Sequence, residues 1–551
     1  MMEETFRKYE SGGLKWIVRE GYRDLINIDF TDGSVLKNVD ENNVRIRGFV
    51  EFKGERLFVK AFKERDRFSP LLTLKGLIFG HGAKREFDAS RYLAGKGIDT
   101  PEVIAVGLGP FLRSRAVIIF RVLDNASRLD EVFRDLSDDP QGSGRERLIG
   151  PLSEITARLH AASFHHRDYH AGNLLIKGGG KKDKLYVIDL HRSSFPRGMR
   201  GKRALKNIAA VCHSLSPGLD DGDIRELLKR YEEARGENSL EIEGALKFIK
   251  ERISKMEGVR LKSRTRRCFK NSSEFSVEKK GGRTVYLMRG VCVDKLMGTI
   301  GEFSEGGGIM LKEDRKARVA LFKWDGVDVC VKGYETLSIK EKIWAAVGRS
   351  RGHVSWRSAR GLAVRGFNTP LPLALVIVRR FFVPGKIYFV TESLRPAREL
   401  DRFILNAFKE SQNGKEGLLA GLAGVIGSLH RMGIYHRDLK GTNIGVKKEG
   451  GGYIFSLIDL DDVSFTSGVN VRRRARNLSQ LYLSTPKVIG AKDRKSFFER
   501  YLDAAEGAAE RERIKREVKK IVRGEELLFV SDKGDVIEDG EDLFSELFGD
   551  R

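Results

Sequence analysis

Two stretches of the chain carry the same polar side chains in the same order: HHRDYHAGNLLI at residues 165–176 and YHRDLKGTNIGV at residues 435–446. Each places an aspartate, Asp168 or Asp438, five positions before an asparagine, Asn173 or Asn443. Each is followed by a second aspartate at the end of an apolar run, Asp189 in YVIDLHR and Asp459 in SLIDLDD. Upstream, both contain a lysine in an alternating, strand-like stretch, Lys60 in RLFVKAF and Lys332 in VDVCVKGY. Phosphoryl transfer asks for this set: a carboxylate to orient or deprotonate an acceptor hydroxyl, hard oxygen ligands for Mg2+, and a cation for nucleotide phosphates. On that reading Asp168 and Asp438 are catalytic, Asn173, Asp189, Asn443 and Asp459 bind Mg2+, and Lys60 and Lys332 contact the phosphates of ATP. Taken singly, VID or LID is equally a strand end and a lysine equally a solvent-facing one. Two complete sets in one order carry far more weight.

The register extends well beyond these motifs. Asp168 and Asp438, Asn173 and Asn443, Asp189 and Asp459, His160 and His430, and Tyr231 and Tyr501 all stand 270 residues apart. Pro101 and Pro370 differ by 269 and Lys60 and Lys332 by 272, as small loop changes would produce. One large unit is therefore used twice, unlike a solenoid with its short repeats. Within each copy FVEFKGERLFVKAF and ALFKWDGVDVCVKGY read as hairpins turning at Lys-Gly and Asp-Gly, the lysine falling on the candidate third strand. Leu152, Ile155 and Leu159, like Leu422, Val425 and Leu429, recur at helical spacing just before the HRD phrase. The expected fold is α+β: two tandem bilobal domains, each a β-rich N-lobe and a helical C-lobe, over residues 1–265 and 266–551. The basic, polar stretch at 262–275 marks the boundary, and DKGDVIEDGEDLFSELFGDR forms an acidic C-terminal tail.

The copies also depart from a protein kinase and from each other. Neither has a G-x-G-x-x-G loop; the first offers only TDGSVLKN and the second SEGGGIML, where glycines 306 to 308 are placed to approach phosphates. Neither has D-F-G or A-P-E. Glu86 in AKREFDASRYL is the candidate partner of Lys60, but aligning the Thr-Pro pairs puts Ser355 in its place in the second copy. Lys332 is then unpaired, or uses Glu335 or Glu341. Two positions after the catalytic aspartate stand His170 in one copy and Lys440 in the other, and Lys440 is suited to stabilise the transferring group by charge.

Composition narrows the remaining classes. A chain of 551 residues with 40% hydrophobic and 32% charged side chains is expected to fold as two or more soluble domains. Its longest apolar runs, LPLALVIV and LLAGLAGVIGSL, fall short of a bilayer span, and MMEETFRKYESGG lacks the apolar core of a signal peptide. A cytoplasmic protein is the expectation. Cys212, Cys268, Cys292 and Cys330 have no CxxC spacing and read as reduced core residues. The formal charge of +24 would draw a phosphorylated substrate, an anionic membrane face or nucleic acid, but no aromatic-basic motif supports nucleic acid.

Both copies resemble the bacterial lipopolysaccharide core kinases, the group with heptose kinases, Kdo kinases and InaA-type proteins. The resemblance lies in HRDYHAGNLL with VIDLHR, HRDLKGTNIG with LIDLDD, and the Trp-x-x-Ala and Gly-x-x-Thr-Pro rhythm of WRSARGLAVRGFNTPLPLAL, over roughly residues 45–235 and 315–505. It implies a protein-kinase-like fold, ATP with Mg2+, and phosphate transfer to a sugar hydroxyl of the lipopolysaccharide core at the inner face of the inner membrane. Such a peripheral enzyme gains about 1 kcal/mol per surface Lys or Arg on an anionic leaflet. The competing readings are a protein kinase and a nucleotide-binding scaffold in which one copy is a pseudokinase.

Overall fold

The computed structural model describes residues 5–30, 33–41, 45–62, 81–110, 115–136, 143–178, 183–216, 218–237, 239–314, 317–335, 337–380, 383–408, 414–503, 507–523, 527–530 and 536–539. Most of the acidic tail lies outside them. The chain divides into two compact units, Met1–Glu257 and Gly258–Arg551.

In the first unit, strands β1 (Phe6–Ser11), β2 (Leu14–Arg19), β3 (Lys37–Glu41), β4 (Arg45–Phe52) and β5 (Glu55–Phe62) precede helix α1 (Gly82–Gly95), and β6 (Val103–Leu108) and β7 (Ala116–Arg121) follow it. They form one seven-stranded sheet in the order β1-β2-β6-β7-β5-β4-β3. Helices α2 (Leu129–Asp135) and α3 (Ser143–Ala161), the strand pair β8 (Leu174–Lys177) and β9 (Lys184–Val187), then α4 (Gly201–Leu215), α5 (Asp221–Arg235) and α6 (Ile242–Arg266) complete a helical lobe. The division between the units falls within α6.

The second unit repeats this order. Its sheet comprises β10 (Phe275–Lys280), β11 (Arg283–Met288), β12 (Ile309–Glu313), β13 (Arg318–Trp324), β14 (Val327–Tyr334), β15 (Pro372–Arg380) and β16 (Val383–Glu392), arranged β10-β11-β15-β16-β14-β13-β12. Helices α7 (Val293–Ser304), α8 (Ile339–Ala346) and α9 (Arg351–Ala363) belong to this lobe. The helical lobe has α10 (Leu400–Phe408), α11 (Lys415–Arg431), the pair β17 (Ile444–Glu449) and β18 (Gly452–Leu457), α12 (Val471–Ser484), α13 (Ala491–Asp503) and α14 (Ala508–Val522).

The strand bearing the lysine is third from the β3 or β12 edge but fifth along the chain, because a hairpin expected from neither motif is added at the far edge of each sheet. Alternation decides which way the lysine faces. In β5, Leu57, Val59 and Ala61 enter one apolar core, so Lys60 projects from the opposite face with Phe58 and Phe62. In β14, Val329 and Val331 do the same and leave Lys332 and Tyr334 opposite. Both hairpins turn through two residues of positive φ, Lys53 and Gly54 at 52° and 79°, Asp325 and Gly326 at 47° and 88°. This geometry suits the right-handed twist of the strands.

The helices before the HRD phrase bury the expected stripe: Leu152, Ile155 and Leu159 on α3, Leu422 and Leu429 on α11 with Val425 packed beside them. The cysteines are free, but only Cys212 and Cys268 are buried; Cys330 is half-buried and Cys292 is exposed at the start of α7, so the expectation of four core thiols is corrected.

At the end of each of these helices sits a buried polar relay. His160 Nδ1 meets the Tyr231 hydroxyl at 2.9 Å and its Nε2 meets Asn207 Oδ1 at 3.0 Å, while Asn207 Nδ2 donates to the His166 carbonyl at 2.9 Å. His430, Tyr501, Asn477 and His436 repeat it at 2.7, 3.1 and 2.6 Å. Burial pushes both His160 and His430 down to about 4. The unfolded chain therefore binds more protons than the folded one between pH 6.5 and 4, and stability falls as pH drops through that window. Urea unfolding should show an acid-side loss that begins below about pH 6.5, levels near pH 4 and amounts to about 3 kcal/mol per histidine. His160→Gln and His430→Gln should each flatten the profile of their own unit.

Candidate active site

The HRD loop is held by its own histidine. His166 is buried, its Nε2 donating to the Ile188 carbonyl at 3.1 Å and its Nδ1 accepting from the Asp168 backbone N–H at 3.2 Å. His436 makes the same two bonds, both also at 3.1 and 3.2 Å, to Ile458 and Asp438. Acceptance at Nδ1 requires a neutral ring, and burial lowers the pKa of both histidines. The Asn173 side chain donates to the Asp168 carbonyl at 2.9 Å, and Asn443 donates to the Asp438 carbonyl at 2.7 Å and to its Oδ2 at 3.1 Å. Ser214 and Ser484 accept from the backbone N–H groups of Ala171 and Gly441 at 2.8 and 2.9 Å. These bonds fix the loop and leave the Asp168 and Asp438 carboxylates 44% and 40% exposed.

Backbone pairing ties this loop to the second aspartate: Ile188 N–H donates to the Asn173 carbonyl and Ile458 N–H to the Asn443 carbonyl, each at 3.0 Å. The chain then reverses through Asp189 and Asp459 in the left-handed region, φ 60° and 54°. Aspartate is among the few side chains that tolerate that conformation.

In the first unit Lys60 Nζ lies 2.6 Å from Glu86 Oε1 and 3.2 Å from Asp189 Oδ1. Strand, helix and loop thus converge on one buried ammonium. Burial alone would raise Asp189, but the hydrogen bond from His191 at 2.9 Å and the charge of Lys60 outweigh it and hold the carboxyl well below the usual range. Glu86, Asp189 and His191 bring one ligand atom each within 4.8 Å of one another. Because Asn173 uses its N–H on the backbone, its amide oxygen remains the group available to a cation. Carboxylate and amide oxygens form a hard donor set that fits a divalent ion such as Mg2+.

The second unit solves the same problem differently. Ser355 occupies the Glu86 position, buried on α9, and Lys332 is nevertheless paired: it lies 2.6 Å from Asp459 Oδ1 and 3.3 Å from Asp461 Oδ1. Neither Glu335 nor Glu341 is the partner. Glu335 binds Arg318 at 3.0 Å, Lys386 at 3.1 Å and the Tyr388 hydroxyl at 2.9 Å, and Glu341 caps α8 through Ser338. Burial pulls Lys332 down, but Asp461 and Asp459 push it above the ordinary lysine range; Asp459 is held low, while burial and its acidic neighbour push Asp461 up.

Lys440 does not join the Lys332 cluster. Its Nζ lies 3.1 Å from Asp438 Oδ2, whereas in the first unit Arg192 approaches Asp168 Oδ2 at 3.5 Å. Glycines 306 to 308 are not a hairpin loop over the site: they terminate α7, Gly307 N–H donating to the Glu302 carbonyl at 2.8 Å. The residues unassigned from sequence are His191 and Asp461, Asn207 and Asn477, and Ser214 and Ser484. Each pair stands 270 apart, so the repeat register itself pointed to them.

Glu86→Ala leaves the buried Lys60 with only its longer pair to Asp189, and should destabilise the first unit by about 2 kcal/mol. The paired replacement Lys60→Met with Glu86→Leu should recover most of that loss in chemical denaturation.

The Lipopolysaccharide kinase (Kdo/WaaP) family model matches residues 74–231 and 310–501. These segments contain Asp168, Asn173 and Asp189, and Lys332, Asp438, Asn443 and Asp459. Among solved structures, one of WaaP in complex with acyl carrier protein is similar at 21% identity, covering 43% of this chain and 98% of that chain with a TM-score of 0.32. No curated protein matches the chain. Over more than half its length, in two copies in register, the chain belongs to the lipopolysaccharide kinase (Kdo/WaaP) family and is a phosphotransferase.

Proposed function

We propose that the chain transfers the terminal phosphoryl group of ATP, with Mg2+, to a sugar hydroxyl of the lipopolysaccharide inner core, heptose or Kdo, and that it works on the cytoplasmic side of an anionic membrane. The observation that supports this best is common to both units. A strand lysine is neutralised by the loop aspartate, and the HRD aspartate stands exposed on the segment hydrogen-bonded to that loop.

In this reading Asp168 and Asp438 orient the acceptor hydroxyl and take its proton at a carboxylate oxygen. Their backbones are held by a neutral histidine, so the carboxylates need not reorganise when the sugar arrives. Lys60 and Lys332 bind nucleotide phosphates, Glu86 aims Lys60, and Lys440 adds positive charge next to Asp438. Asn173 and Asp189, and Asn443 and Asp459, would hold Mg2+, which supplies charge neutralisation on the phosphates when bound. The absence of A-P-E, D-F-G and a glycine-rich loop supports a small-molecule acceptor over a protein substrate.

ATP consumption with deacylated inner-core oligosaccharide tests the assignment. Asp168→Asn and Asp438→Asn should each remove the turnover of one unit, and the double substitution should lower the total by about 100-fold. Absence of sugar-dependent turnover in the unaltered protein with every inner-core acceptor would overturn the reading.

Among the described residues no helix is long and apolar enough to cross a membrane. A peripheral contact is supported by α8 and the residue after it, where Ile339, Ile343, Trp344 and Val347 are 79%, 60%, 41% and 61% exposed. Lys340, Lys342, Arg349 and Arg351 flank this apolar face, and the Arg349 guanidinium lies 5.8 Å from the Trp344 ring centre. An apolar, tryptophan-bearing helix face rimmed by cations suits the interface of an anionic leaflet. Sedimentation with phosphatidylglycerol vesicles should exceed that with phosphatidylcholine alone and fall at high salt. Ile339→Ser with Ile343→Ser and Val347→Ser should weaken it about tenfold while leaving ATP turnover in solution unchanged.

A further inference from the structure

We infer that the second unit is a second working nucleotide site, in which Asp461 has taken over the lysine-positioning role that Glu86 performs in the first. This rests on the phosphotransferase reading above and concerns only how the second centre is built.

The two sites differ at three linked positions. Glu86 on α1 corresponds to Ser355 on α9, Phe62 at the end of β5 to Tyr334 at the end of β14, and His191 after the loop aspartate to Asp461. A serine is too short to reach the lysine, so the helix has lost its acid. The loop has gained one at the position where the first unit carries a histidine. Asp461 Oδ1 lies 3.3 Å from Lys332, and its Oδ2 lies 3.5 Å from the Tyr334 hydroxyl, a donor that Phe62 lacks. Ser355 in turn lies against Tyr334.

Each change is intelligible only with the others. Deleting the helix acid alone would leave a buried ammonium facing a single carboxylate. Adding a loop acid alone would crowd two carboxylates against each other without a second donor. Together they return the lysine to two carboxylates, Asp459 and Asp461, as Lys60 has Asp189 and Glu86. The charge balance of the phosphate-binding lysine is preserved with its source moved from helix to loop. A unit freed of nucleotide could have lost the lysine together with its helix acid, whereas this one keeps the cation and pairs it anew.

The move alters how each lysine is set. In the first unit one of the two acids that aim the lysine rides on α1 and the other on the loop. In the second, Asp459 and Asp461 lie on one turn, so both acids that aim Lys332 come from the loop.

The test uses the full-length chain with Lys60→Met, which silences the first centre, and reads both binding of a fluorescent ATP analogue with Mg2+ and the KM and kcat for ATP. Asp461→Asn, nearly isosteric, should raise KM about tenfold with a smaller change in kcat. Transplanting the first unit's solution, Tyr334→Phe with Ser355→Glu and Asp461→His, should bring KM back to near the parent value. A structural defect would not be repaired by moving the acid to another element. Unchanged nucleotide binding in Asp461→Asn, where Lys332→Met abolishes it, would overturn the inference. So would a folded triple variant that binds as weakly as Asp461→Asn. Binding that tracks Asp461 without transfer to any core sugar would uphold the inference and sink the substrate proposed above.

Discussion

A lysine ammonium buried under a β-sheet must be neutralised by carboxylates, and the architecture of each unit follows from meeting that demand. Lys60 is only 8% exposed. A charge at that depth is costly to desolvate unless opposite charge lies within a few ångströms, as Glu86 and Asp189 do. Meeting the requirement draws the sheet and the helical lobe to one point, because the lysine is on a strand of the first and its aspartate is on a loop of the second. The same contact that stabilises the junction holds the lysine cation where sheet and helical lobe meet.

Behind that point the helical lobe contributes a second constraint of opposite character. The HRD histidine is buried and neutral, and its carbonyl is held by an asparagine whose oxygen is engaged by another buried histidine. Every donor in this relay has an acceptor, which is the condition under which a buried polar network gives rigidity without leaving a group unsatisfied. The catalytic-type aspartate sits at the solvent edge of this rigid assembly. Its carboxylate stays half-exposed because the buried relay holds its backbone, while its side chain meets only partners at the rim such as Arg192 or Lys440 and, in the second unit, Asn443.

The two units share this scaffold and differ where the charge for the lysine comes from. An acid on a helix couples lysine placement to helix docking, whereas an acid on the metal-type loop couples it to the loop alone. Lys440 beside Asp438, where the first unit uses Arg192 near Asp168, places the second cation differently again. Duplication therefore supplied two copies of one geometry with separately adjustable electrostatics.

Much of this was legible in the linear chain, and the reason is covalent. A constant spacing of 270 survives only if the intervening backbone is the same length, so repeat, order of elements and the identities of Asp168, Asn173, Asp189 and their counterparts could be read without coordinates. Alternation in RLFVKAF and VDVCVKGY likewise determined that each lysine faces away from its neighbours Val59 and Val331. What the sequence could not decide was which acid meets Lys332: it offered Glu335 and Glu341, 3 and 9 residues away, whereas the partners stand 127 and 129 residues away. Glu335 and Glu341 are near in sequence, yet strand direction sends the first to Arg318 and helix capping occupies the second. Only the closing of the sheet over the helical lobe brings Asp459 and Asp461 within bonding distance. Pairing across such a separation is a property of the fold, since it depends on where two distant segments are packed and not on either segment's own pattern.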